Sequence, residues 1–179
     1  MLKKCGIAVL VAGASFLGMS APGYAQVQLS GKSIPLDLAI EAAHEAIHSC
    51  ELKGYKVSAS VVDVAGVERV YLRGDHSTIH TKETAYKKAY TIATLGPIFG
   101  ATGTSALVEK ISKTPTGPAL SSVTNVILLA GGVAIRSGDE TLGAIGVGGA
   151  PGGLLDEACA LAGVAKIQAK MDTLKVGAQ

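Results

Sequence analysis

GGVAIRSGDETLGAIGVGGAPGGLLDEACALAG, residues 131–163, is the stretch on which the fold turns. GVAIRS (132–137) is apolar and strand-like, Gly138-Asp139-Glu140 reads as a turn, and TLGAIGVGG (141–149) is a second apolar run. A glycine-rich break then leads into a helix from about Leu155 to Leu174. Gly146-x-Gly148 superficially matches a dinucleotide fingerprint. That fingerprint needs a βαβ unit early in a parallel sheet and an acidic residue about 20 positions on. Here the strand is the last one, a single helix follows, and Asp172 lies beyond most of it. Asp156 and Glu157 also put negative charge in the first helical turn, where it suits the helix dipole and opposes an anionic ligand. The spacing therefore favours a turn that lets strand and helix pack closely over a phosphate cradle.

Upstream of this stretch, apolar or small residues at Leu36, Ile40, Ala43, Ile47 and Cys50 follow a helical period over Leu36 to about Leu52. Asp37 or Ser33 is placed to cap that helix, and Gly54 closes it. VSASVVD (57–63) and VERVYLR (67–73), joined at Ala65-Gly66, read as a hairpin. A second helix is expected from Thr78 to Leu95, stopped by Gly96-Pro97, and a third from Thr104 to Ser112. Residues 113–125 read as an irregular loop, and VILLA (126–130) as strand-like. Hairpins linked by short turns, interleaved with helices, give an α+β domain: an antiparallel sheet flanked by helices.

The chain has 179 residues, and the first 25 have the pattern of an export signal. Lys3 and Lys4 precede an apolar stretch from Gly6 to Met19, and Gly23-Tyr24-Ala25 matches a small-x-small cleavage site. The apolar run is too short for a membrane span. The expectation is a secreted or periplasmic protein, with residues 26–179 as one domain and no membrane association after cleavage. Losing two lysines leaves 14 basic against 14 acidic residues. With no net charge, no basic run, no Trp and two Phe, nucleic-acid binding is excluded as an expectation. Cys50 and Cys159 remain in that domain. An oxidising compartment permits a disulfide, but the two cysteines fall in helices near opposite ends of the domain, which leans toward buried free thiols. Neither Cys-x-x-Cys nor a zinc-type spacing occurs.

Four segments together resemble the GlcG/HbpS family of haem-binding-type domains, also found as the C-terminal domain of PduO proteins. They are ASVVDVAGVERVYLRGD (59–75), AYKKAYTIAT (85–94), GGVAIRSGDETLGAIGVGGAPGG (131–153) and DEACALAG (156–163), in the family's order. Gly148 stands where that family usually has Ser, and Gly74 separates Arg73 from Asp75. The resemblance implies a profilin-like α+β fold, a homo-oligomer such as an octamer, and haem bound through a histidine of the first helix.

The four histidines form two i, i+4 pairs, His44/His48 and His76/His80. On a helix this spacing stacks two imidazoles on one face, which suits a metal or one axial ligand to haem iron. Helical phase puts His44 at the edge of the apolar arc and His48 further toward the polar side. His80, with Glu83 three residues on, is a weaker candidate for iron. Arg73 could clamp a haem propionate or another carboxylate, or form an ion pair with Asp63 or Asp75. Tyr86 or Tyr90 could stack on a porphyrin, while Lys87 and Lys88 read as a solvated helix face. No nucleophile elbow occurs. The leading expectation is an exported, oligomeric haem-binding protein that holds or senses haem. The alternative is binding or processing of a small, glycolate-like carboxylate by Arg73 and the glycine turn, with the histidines as acid–base groups.

Overall fold

The computed structural model describes residues 32–174. The expected signal segment, residues 1–25, and the residues up to 31 lie outside the described residues. The element order is α1 (Leu36–Glu51), β1 (Ser58–Asp63), β2 (Glu68–Arg73), α2 (Thr81–Phe99), α3 (Thr104–Ser112), a 3-10 turn (Gly117–Ser122), β3 (Gly132–Ser137), β4 (Glu140–Gly148) and α4 (Gly153–Asp172). The four strands form one antiparallel sheet in the order β2-β1-β4-β3. This is the expected α+β arrangement.

Alternating side chains feed two cores. Val57, Ala59, Val61, Val70, Val133, Ile135, Ile145 and Val147 point to one face and pack with α1 and α4. Val62, Ala134 and Ala144 point to the other and pack with α2 and α3. The glycines of the decisive stretch serve this packing. A Cβ at Gly146 would collide with the Ala85 carbonyl of α2. Bare backbone in β4 is what lets α2 lie flush on the sheet.

On the opposite face, α1 and α4 run antiparallel, as the ion pairs Glu41–Lys170 (2.6 Å) and Glu45–Lys166 (3.8 Å) show. Gly163 sits at their closest approach, where any side chain would meet the Ala42 carbonyl. The same seam carries a Cys50–Cys159 disulfide with Cα atoms 5.6 Å apart. The leaning toward free thiols is thus corrected. Residues at opposite ends of the sequence are neighbours because the first and last helices pair.

Three further expectations change. Pro97 does not stop α2, which continues to Phe99 and ends at Gly100 in the left-handed region, φ 59°. Lys110 Nζ donates to the Phe99 and Gly100 carbonyls and so satisfies that end. VILLA is no strand. Val126 is buried and Leu128 packs into the α2-side core, but Ile127 N–H donates to the Thr91 hydroxyl of α2 and not to a strand. At the start of α1, Pro35 occupies the N-cap position with no side-chain cap hydrogen bond, and Asp37 falls inside the first turn.

Candidate functional site

The seven buried residues of α1 are Leu38, Ala39, Ala42, Ala43, Ala46, Ile47 and Cys50. Their arc turns away from Leu36, which is 53% exposed. His44 is therefore not the edge residue expected, whereas His48 lies on the polar side as expected. Both stand on the solvent face. Leu36, Ile40, His44, His48 and Leu52 recur every fourth residue, so they form one ridge along the helix. Its three apolar members are exposed at 53%, 45% and 76%. Neither imidazole has a hydrogen-bond partner among the described residues, so their ring nitrogens are not committed to the fold. An imidazole flanked by exposed aliphatic side chains is a donor set suited to haem iron, whose porphyrin needs an apolar neighbour.

Arg73 is elsewhere. Val70 and Leu72 of β2 pack into the α1-side core, so Tyr71 and Arg73 point toward α2. Tyr71 confirms that side: its hydroxyl donates to Ser58 Oγ, and Lys82 Nζ of α2 lies 5.8 Å from its ring centre. Arg73 makes neither of the expected ion pairs. Its Nε and Nη2 both donate to the Ser77 carbonyl, at 2.9 and 2.5 Å. Asp63 caps its own turn, accepting from the Ala65 and Val67 amides. Within one chain, the first-helix histidines and Arg73 lie on opposite faces of the sheet.

His80 precedes α2 and is exposed, while His76, at φ 63°, sits in the turn before it. Glu83 pairs with Lys87 at 3.3 Å. Among the described residues, no group of three or more His, Cys, Asp or Glu side chains is arranged to hold a metal ion. Glu83 and Tyr86 do meet, in a groove of about 500 Å³ between the β1–β2 turn and α2. Ala65, Gly66, Val67, Glu68, Lys82 and Tyr90 complete it. The Tyr86 hydroxyl donates to the Gly66 carbonyl at 3.3 Å. Burial, aided by Tyr90 and Glu68, raises the Tyr86 pKa above its ordinary value. Glu68 and Lys82 escaped the sequence reading, because only the tertiary crossing of hairpin and helix brings them together.

The glycine turn holds the protein's own carboxylates. Asp156 Oδ1 accepts the Ala150 N–H, and Oδ2 takes a 2.7 Å ion pair from Lys88, which also donates to the Val147 carbonyl. Lys88 and Asp156 are 5% and 4% exposed at their side chains, so Lys88 is not on a solvated face. Glu157 accepts from the Gly131 and Ser105 amides and from the Thr104 and Ser105 hydroxyls. Within the turn, the Ala150 amide is thus already bonded to a carboxylate of the chain itself.

Comparison with known proteins supplies the family. The model of the family described as haem degrading protein HbpS-like matches residues 34–165. The chain belongs to the HbpS-like family. A crystal structure of a double mutant of HbpS from Streptomyces reticuli is 31% identical, with a TM-score of 0.67, covering 90% of this chain and 97% of that one. A second HbpS crystal structure is 32% identical, with a TM-score of 0.68 and coverages of 87% and 97%. A PduOC:heme complex shares the fold at 22% identity, with a TM-score of 0.66 and coverages of 76% and 96%. Among curated proteins no significant match was found. The order of motifs in the HbpS-like chain is thus that of the fold it adopts.

Proposed function

We propose that this protein is an exported, oligomeric haem-binding protein that holds or senses haem, with His44 or His48 as the axial ligand. The observation that carries the reading is the α1 ridge. Two uncommitted imidazoles are flanked by exposed Leu36, Ile40 and Leu52, in a chain whose family is described as haem degrading. Haem would supply iron-centred redox chemistry when bound. The residues of this chain would hold the iron and shelter part of the porphyrin. A helix ridge is convex, so it covers one face of a flat ligand. A second copy of the chain would close the other face, which supports a homo-oligomer. Arg73, across the sheet, could reach a propionate only from a neighbouring copy. The disulfide fits an oxidising compartment, and with the leader-like residues 1–25 it supports export to the periplasm or beyond.

The test is a haemin titration of residues 26–179 by absorbance, beside His44→Ala and His48→Ala. A saturable Soret shift lost in one variant is expected, and it names the ligand. No shift above that of a non-binding control protein refutes the reading.

A further inference from the structure

The groove on the far face of the sheet from the histidines has two lining charges without a counter-charge among the described residues. Its floor is rigid. The Asp63 carboxylate locks the turn through the Ala65 and Val67 amides at 2.9 and 3.0 Å, and the Tyr86 hydroxyl ties α2 to Gly66. Its wall is aromatic. The Tyr86 and Tyr90 rings lie 5.9 Å apart and tilted by 47°, and both line the groove, with one edge of Tyr90 packed against Gly66. Glu83 is neutralised by Lys87. Two lining charges are left. Glu68 accepts from the Ser60 hydroxyl with Oε1 alone. Lys82 makes no ion pair among the described residues and only overhangs the Tyr71 ring. One unspent carboxylate and one unspent ammonium therefore border a preformed aromatic slot of a size usual for small-molecule sites.

We propose that this groove binds an aromatic α-amino acid, its ring against Tyr86 and Tyr90, its ammonium toward Glu68 and its carboxylate toward Lys82. A simple organic cation would leave Lys82 as a repelling neighbour, and a simple carboxylate would face Glu68. The zwitterion satisfies both. The Tyr86 phenol, whose pKa burial raises, stays neutral beside them and keeps its hydrogen bond to the Gly66 carbonyl.

The chain has no Trp, so the fluorescence of L-tryptophan reports its own binding without background. L-tryptophan, tryptamine and indole-3-propionate are titrated into residues 26–179, into Glu68→Gln and into Lys82→Met. Gln at 68 can still accept from Ser60, and circular dichroism checks that both variants are folded. Saturable binding is expected for tryptophan, with each analogue weaker by roughly fivefold, the equivalent of one partly exposed ion pair. Glu68→Gln is expected to erase the advantage of tryptophan over indole-3-propionate, and Lys82→Met its advantage over tryptamine. The proposal is overturned by no saturable binding, by tryptamine or indole-3-propionate binding as tightly as tryptophan, or by variants that leave the ranking unchanged. Haemin added to the tryptophan complex is expected to displace nothing. Displacement would make the groove part of a haem site and would overturn the proposal as well.

Discussion

Replacing Lys88 by Met keeps the length of the side chain and removes its charge. In the native fold Lys88 Nζ satisfies Asp156 Oδ2 at 2.7 Å and the Val147 carbonyl at 3.0 Å, with both charged side chains almost wholly buried. The variant leaves Asp156 as a buried carboxylate without its counter-charge. Breaking one side of a buried pair costs about 3–5 kcal/mol. In a domain of this size that lowers Tm by roughly 10 °C or more. The double variant Lys88→Met/Asp156→Asn removes the stranded charge while Asn can still accept from Ala150. It is expected to recover most of the loss. pH gives an independent check. Burial raises the Asp156 pKa above the ordinary carboxylate value, and the hydrogen bond and charge of Lys88 oppose that rise. A carboxyl whose folded pKa is raised contributes its stability below the unfolded pKa and loses it as pH rises through the folded pKa. Removing Lys88 pushes the folded pKa higher still. The gap between variant and wild type, read from urea melts, is therefore widest near about pH 7 and narrows toward about pH 4. A variant within about 1 kcal/mol of wild type at neutral pH, or a gap that does not change with pH, refutes this account of the pair.

The disulfide closes a loop with a sequence separation of 109, so reduction or Cys50→Ala/Cys159→Ala is expected to cost about 4–5 kcal/mol, seen as a lower urea midpoint with and without reductant. An unchanged midpoint would mean the bond does not form in solution. Gly146→Ala pushes a methyl into the Ala85 carbonyl and is expected to destabilise by about 1–3 kcal/mol, read as a falling Tm; Gly138→Ala is no control, since its φ is positive, whereas Gly152, with open space around it, is. Glu157→Gln keeps the shape but weakens four hydrogen bonds, and faster amide exchange at Gly131 and Ser105 is the expected signature.

β-branched runs and turn chemistry made the hairpins legible. VSASVVD and GVAIRS are short apolar runs buried along nearly their whole length, and Gly138-Asp139-Glu140 reads as a turn between two of them. The third helix, Thr104–Ser112, was readable from the same local pattern. What failed was non-local. VILLA is as apolar as a strand, but nothing in five residues says that its surface will be covered by α2 and not by a strand edge. Lys88 looked solvated beside Lys87 because its partner Asp156 lies 68 residues away. Pro97 read as a stop, but the helix runs on to Phe99, where Lys110 of the next helix takes up the Phe99 and Gly100 carbonyls at its end. For the candidate site, the i, i+4 spacing located His44 and His48; a misjudged arc centre misplaced His44 at an edge, while His48 faces solvent as expected. The groove needed the crossing of hairpin and α2, which no residue spacing encodes.

The first helix is stapled to the last, and β1 lies between β2 and β4. Neither half of the chain can therefore close a core by itself. Residues 36–99 hold a hairpin and two helices, yet β1 has an open side until β4 arrives, and α1 lacks its helix partner until α4 does. A chain emerging from its N-terminus finishes its cores late and in order: the α2-side core needs β3 and β4, and the α1-side core waits for α4 as well. Under the export proposed above, that order of assembly leaves the chain without a closed α1-side core until α4 has followed.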